Sequence, residues 1–139
     1  KNRELFPAGR LDKDTTGFLI ITNDGDFAHR VISPKSNIEK LYYAELDGDI
    51  TEQMMSDFHK GVVLADGTQC LPAKLERAGD NTAYITIKEG KYHQIKRMFG
   101  TVDLGVNKLH RISVGGLSLP DNLRQGECVE LKQEDLAKI

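Results

Sequence analysis

Apolar positions open as a run, Phe18-Leu19-Ile20-Ile21-Thr22, rich in β-branched residues and short enough to predict a strand buried on both faces. Residues 1–17 before it show no period and contain Pro7, Gly9 and Gly17, which predicts loop and turn. Asn23-Asp24-Gly25-Asp26 is a turn signal, and Phe27–Ile32 then reads as a short helix. Ser33-Pro34 stops it, because the proline ring pushes the preceding residue out of the α region. Lys40–Leu46 alternates and is aromatic, which predicts a second strand. Thr51 suits an N-cap, Glu52 complements the helix dipole, and Gly61 closes a helix whose buried stripe is Met54, Met55 and Phe58.

Strands are predicted at Val62–Leu64, Cys70–Glu76 and Ala83–Lys88, and Glu89-Gly90 turns the chain into a helix over Tyr92–Val102. On that helix Ile95, Phe99 and Val102 share one side, while His93, Lys96 and Arg97 share another at helical spacing. Asn107–Val114 and Cys128–Leu131 read as further strands and Gln133–Lys138 as a terminal helix. Strands outnumber helices, and most connections are too short for parallel crossovers. The expected fold is therefore α+β: a largely antiparallel, mixed sheet with packed helices.

Composition narrows the class. A chain of 139 residues, 39% hydrophobic and 29% charged, is most simply one globular domain. No apolar run is long enough to cross a bilayer. Cys70 and Cys128 make no disulfide framework and no paired metal-ligand spacing, which favours a reducing, cytoplasmic setting. The net charge of −2 hides an asymmetry. Between Thr86 and Arg111 stand Lys88, Lys91, Lys96, Arg97, Lys108 and Arg111 against only Glu89 and Asp103. Such a segment can build a phosphate-attracting surface on a nearly neutral protein, or simply a solvated face.

Candidate chemistry concentrates in Gly9-Arg10-Leu11-Asp12-Lys13-Asp14-Thr15-Thr16-Gly17. Asp-x-Asp-x-Thr resembles the nucleophile loop of haloacid dehalogenase phosphatases, but that loop needs a buried strand directly ahead, and Phe6-Pro7-Ala8-Gly9-Arg10 cannot supply one. The same residues imitate a calcium loop until the twelfth place, where a bidentate Glu is required and Asn23 stands. No metal is expected.

The third reading is the most specific. Gly9-Arg10-Leu11-Asp12-x-Asp-Thr-Thr-Gly resembles the signature of the RsuA-type pseudouridine synthases, and three more blocks follow in order. They are Glu39-Lys40-Leu41-Tyr42; Glu89-Gly90-Lys91-Tyr92-His93-Gln94-Ile95-Lys96-Arg97-Met98-Phe99; and Leu109-His110-Arg111 with Gly115-Gly116, Leu123, Gly126 and Glu127. The resemblance spans roughly residues 7–136. It implies isomerisation of a specific uridine to pseudouridine in ribosomal RNA, with small-subunit RNA favoured, and no cofactor.

Carried over residue by residue, it implies that Asp12 is the catalytic aspartate, paired with Lys96, and that Tyr42 stacks on the flipped base and helps move the C5 proton. Arg10, Lys40, Lys91, His93, Gln94, Arg97 and Arg111 are expected to contact RNA, and Ile95 and Leu109 to wall the pocket. The family's catalytic domain normally begins with a Lys-Pro-x-Gly strand behind an S4-type RNA-binding domain. The chain is thus expected to be that catalytic domain, 1–139, without its N-terminal strand and S4-type domain. The expected partner is ribosomal RNA or a ribosome assembly intermediate, met by a monomer away from membranes. A non-catalytic RNA-binding or assembly module is the competing reading.

Overall fold

A computed structural model of the chain describes residues 4–91, 93–120, 123–131 and 133–139. Its backbone is a mixed sheet in the strand order β2-β7-β4-β6-β5, with β8 paired to β7 and a separate ribbon of β1 with β3. The strands are β1 Phe6–Pro7, β2 Thr15–Gly17, β3 Ile21–Thr22, β4 Lys40–Leu46, β5 Lys74–Gly79, β6 Thr82–Ile87, β7 Val106–Val114 and β8 Leu117–Ser118. The helices are α1 Gly25–Ile32, α2 Glu52–Lys60, α3 Gln94–Gly100 and α4 Gln133–Leu136. Every pairing is antiparallel except that of β2 with β7. The α+β, largely antiparallel expectation holds.

Local chemistry explains the helices. Asp24 caps α1, its carboxylate accepting from the N–H groups of Asp26 and Phe27, and Ser33 ends it ahead of Pro34. Thr51 caps α2 by accepting from the Met54 N–H at 3.2 Å. Gly61 ends that helix at a φ of 100°, a conformation that costs glycine least. In β4 the alternation is strict: Lys40, Tyr42, Ala44 and Leu46 are buried and the residues between them half-buried.

Two apolar clusters result. The larger packs α2 and α3 on one face of the sheet, where Phe58 and Phe99 meet with ring centroids 5.3 Å apart. The smaller joins α1 to Phe18, Ile20, Val114 and Leu117. On the other face of β4, Tyr43 meets Tyr84 of β6 at 5.7 Å.

Several expectations need correction. Phe18–Thr22 is not one strand buried on both faces. Phe18 and Ile20 are buried while Leu19 and Ile21 are exposed, because the chain leaves the main sheet after Gly17 and pairs Ile21 with Pro7. The stretch read as loop and turn holds β1 and β2. Val62–Leu64 forms an isolated bridge, Val63 with Gln69, rather than a strand. The strand expected at Cys70–Glu76 runs Lys74–Gly79, and Cys128–Leu131 carries none. The third helix begins at Gln94; Tyr92 lies outside the described residues, and His93 adopts a left-handed φ of 45° that a helix cannot contain.

Candidate active site

Asp12 sits in a turn closed by the Thr15 N–H donating to the Asp12 carbonyl at 2.8 Å. β2 follows at once and runs parallel to β7 at the edge of the main sheet, so the turn is pinned there with Thr15 beside Leu109 and Gly17 beside Arg111. Gly17 has a φ of 115°, and a Cβ there would collide with the backbone of Arg111, so only glycine lets these strands meet. Thr16 adds a side-chain bond of 2.8 Å to the imidazole of His110.

Across the sheet, β4 presents Tyr42 opposite Arg111. The register shifts between Leu41 and Tyr42, where Leu41 pairs with Ser113 but Tyr42 with Arg111. This bulge leaves Ile112 over and turns the Arg111 side chain to the same face as Tyr42. There the guanidinium donates through Nε to the Phe18 carbonyl at 2.7 Å and through Nη1 to the Tyr42 hydroxyl at 3.3 Å. Its Cζ lies 5.9 Å from the centre of the Tyr42 ring, which is 8% exposed. Tyr42 is thus braced edge and face.

A cavity of about 460 Å³ opens between these walls. Leu109, Ile95 and Ile87 form its apolar side, Gly90, Lys91, His93 and Gln94 one rim, and Gly9, Arg10 and Leu11 the other. Four Lys and Arg residues line it, Arg10, Lys40, Lys91 and Arg111, and Asp12 is the only carboxylate among the described lining residues. The volume suits a nucleotide-sized ligand, and the charge suits an anionic one. A half-buried carboxylate against an apolar wall, with a tyrosine ring able to stack on a planar group, can act as nucleophile or base at a sugar or base atom.

A family model described as RNA pseudouridylate synthase matches residues 1–101. The chain belongs to the RNA pseudouridylate synthase family. It is 47% identical over 137 residues to the uncharacterized RNA pseudouridine synthase YtzG of Bacillus subtilis, covering 96% of this chain and 57% of that one. To the ribosomal small subunit pseudouridine synthase A of Vibrio cholerae it is 43% identical, covering 99% and 60%. A solved pseudouridylate synthase superposes with a TM-score of 0.92 at 40% identity, covering 96% and 59%. An archaeal box H/ACA Nop10-Cbf5 complex, at 15% identity and a TM-score of 0.56, shares the fold alone. The chain spans about three fifths of the length of the first three of these.

In this member of the pseudouridylate synthase family, the residues singled out from sequence do not all converge. Asp12, Tyr42, Arg10, Lys40, Lys91, His93, Arg111, Ile95 and Leu109 line the cavity together. Lys96 is placed otherwise than expected: its ammonium lies 3.8 Å from Asp14, not in an ion pair with Asp12. Among the described residues the basic side chain nearest Asp12 is His93, whose Nε2 is 3.9 Å from Oδ1. The left-handed turn at His93 carries the ring over the cavity while α3 carries Lys96 toward the outer side of the Asp12 turn.

Gln94 lines the cavity as well, with its amide held by the protein. It is buried, its amide donating to Glu89 at 3.0 Å and accepting from the Lys91 N–H at 3.0 Å, so both ends are occupied inside the protein. Arg97 reaches away from the cavity to Asp66 at 2.7 Å. The Asp66 carboxyl is held down at about 2 by the Thr68 hydroxyl and N–H and by Arg97.

Two structural residues escaped the sequence reading. Glu89, 2% exposed, accepts from the Leu71 N–H at 2.6 Å and from Gln94, and pairs with Lys91 at 3.4 Å. An acidic residue before glycine signals only a turn, and nothing local reveals that it is buried. Thr15, inside the signature, has a buried hydroxyl without a hydrogen-bond partner. Burial holds the Lys40 ammonium below its usual range, and the Arg111 charge lowers it further.

Proposed function

We propose that this chain carries the catalytic centre of an isomerase that converts a uridine of ribosomal RNA to pseudouridine, with small-subunit RNA the favoured target. One observation carries the reading: among the described residues Asp12 is the sole carboxylate lining a cavity that is otherwise largely basic and apolar and holds a buried tyrosine. Isomerisation breaks the C1′–N1 bond and joins C1′ to C5, and the C5 proton is lost as N1 gains one. Asp12 either attacks C1′ or removes a sugar proton. Tyr42 stacks on the base, and its hydroxyl, held by Arg111, is suited to the proton transfer at C5. Ile95 and Leu109 exclude water from the ring. Drawing a base out of its stack costs a few kcal/mol, which contacts from Arg10, Lys91 and His93 at the rim offset. Lys96 acts on the outer side of the turn by fixing Asp14, and Arg97 extends the basic surface.

The names of the relatives from Bacillus subtilis and Vibrio cholerae support the same chemistry, the second also the small subunit. The partner is ribosomal RNA, free or in an assembly intermediate, met by a monomer in the cytoplasm. The phosphatase reading loses support because no strand lies between Pro7 and Thr15 to carry a buried nucleophile. Asp12→Asn, assayed by tritium release from RNA labelled at uridine C5, is expected to abolish turnover while salt-dependent RNA binding persists. Turnover retained in that variant would remove Asp12 from the chemistry. Binding without turnover in the wild type would favour an RNA-binding or assembly module.

A further inference from the structure

One buried charged group lining the cavity has no hydrogen-bond partner among the described residues. Lys40 is 7% exposed, its Nζ is shut off from solvent, and it makes no hydrogen bond. The position is the first residue of β4, on the face that Tyr42, Ala44 and Leu46 fill with apolar surface. Its neighbours in the register are Ile87 and Val114, neither able to accept a hydrogen bond through its side chain. The charge that acts on it is the Arg111 guanidinium, of the same sign and already engaged by the Phe18 carbonyl and the Tyr42 hydroxyl. A buried ammonium without an acceptor is costly, and one that serves the fold alone is normally paired. Thr15 Oγ1 is likewise buried and unbonded, and it lines the same cavity. Two orphaned polar groups on residues that line one cavity fit a ligand that supplies their partners.

We propose that the Lys40 ammonium binds a carbonyl oxygen of the target uracil and stabilises the base while it is detached from the ribose. This deepens the uridine-isomerising reading above and rests on it. Lys40 and Tyr42 are two residues apart on one strand face, roughly 7 Å along it, so a ring stacked on Tyr42 directs an edge toward Lys40. Depth favours the base over the backbone. A phosphate keeps its hydration and is met by exposed cations at the rim, whereas Lys40 Nζ is buried.

The chemistry asks for a cation there. When the C1′–N1 bond breaks with its electron pair left on N1, the charge spreads to O2 and O4, and a hydrogen bond to either oxygen strengthens as it forms. When C1′ joins C5, the ring supplies the pair for the new bond, the C5 proton leaves, and N1 takes one up. The bond to Lys40 then returns to an ordinary neutral acceptor. An interaction made stronger only in the transition state raises kcat rather than affinity.

The test is Lys40→Met in the full chain, with unmodified transcripts of small- and large-subunit ribosomal RNA labelled at uridine C5. Loss of one preorganised donor to a developing anion is expected to lower kcat about 100-fold or more, with KM moving by less than about threefold. Thermal melting separates this from a scaffold role: the variant is expected to melt at the wild-type temperature or above it, because methionine fills the space without a charge. A kcat within about threefold of wild type overturns the inference. So does weaker RNA binding with kcat intact, which marks a phosphate contact, or a lower melting temperature, which marks a structural lysine. Wild-type protein that releases no tritium from either RNA overturns the isomerase reading itself, and the role of Lys40 in it.

Discussion

Glu89 and Lys40 are both buried charges beside the same cavity, and they are held in opposite ways. Glu89 is surrounded by donors: the Leu71 N–H at 2.6 Å, the Gln94 amide at 3.0 Å and the Lys91 ammonium at 3.4 Å. Its carboxylate ties the rim that carries Lys91, His93 and Gln94 to the chain around Leu71. Lys40 has no acceptor among the described residues. Burial is equal in kind, so the difference lies in satisfaction: a satisfied buried charge is part of the scaffold, and an unsatisfied one points to what the scaffold is for.

The largest stability effect is expected from Glu89→Ala. Truncation strands the Leu71 N–H and the Gln94 amide and leaves Lys91 without its partner, so about 3 kcal/mol of stability should be lost. Urea unfolding should show this as a lower midpoint at unchanged slope. A loss below about 1 kcal/mol would mean that water replaces the carboxylate, and the contrast with Lys40 would weaken.

Lys40→Met should move the other way, by about 1 kcal/mol in favour of the fold at neutral pH, since a desolvated and unpaired ammonium is removed. The pH dependence has a definite sign. The Lys40 pKa is lowered in the folded protein from 10.5, so between that lowered value and 10.5 the unfolded chain binds the extra proton. Wild-type stability relative to the variant therefore rises with pH across this window, by at most about 1.4 kcal/mol per unit. The advantage of Lys40→Met should shrink as pH approaches 10.5. A gap that does not change with pH would mean that the ammonium is not desolvated.

This contrast is hidden from sequence for a physical reason. Lys40–Leu46 is legible as a strand with those bounds, because alternation and aromatic content act locally. The caps at Asp24 and Thr51 and the stop at Gly61 are legible for the same reason. What alternation also says, that Lys40 shares the buried face of Tyr42, conflicts with the habit of placing lysine outside, and the resemblance made it an ordinary RNA contact. The parallel pairing of Thr15–Gly17 with Leu109–Arg111 joins segments 94 residues apart and leaves no local trace. The bulge that aims Arg111 at Tyr42 depends on the partner strand. Single residues of the site were therefore readable, while their pairings were decided by tertiary contacts.

Tyr42→Phe should cost about 1 kcal/mol, since the ring stays packed while Arg111 Nη1 loses an acceptor at 3.3 Å. Arg111 keeps its bond to the Phe18 carbonyl, so the guanidinium is not stranded. This is an intermediate case between Glu89 and Lys40. Thermal melting should place the variant between those two, and a loss as large as that of Glu89→Ala would make the hydroxyl part of the scaffold rather than of the site.

The smallest effect is expected outside the cavity. Lys96 and Asp14 form an ion pair of 3.8 Å in which the Asp14 side chain is 80% exposed, so water screens it. Asp14→Asn should change stability by less than about 0.5 kcal/mol. Its effect on turnover separates two accounts of the turn. If Asp12 alone reacts, and Lys96 merely rests on Asp14, Asp14→Asn should keep tritium release within about twofold of wild type while Asp12→Asn loses it. If turnover falls tenfold or more with melting unchanged, the pair does more than sit at the surface. Asp14 would then hold Lys96 where its charge bears on Asp12, across the short turn that the Thr15 N–H closes onto the Asp12 carbonyl at 2.8 Å.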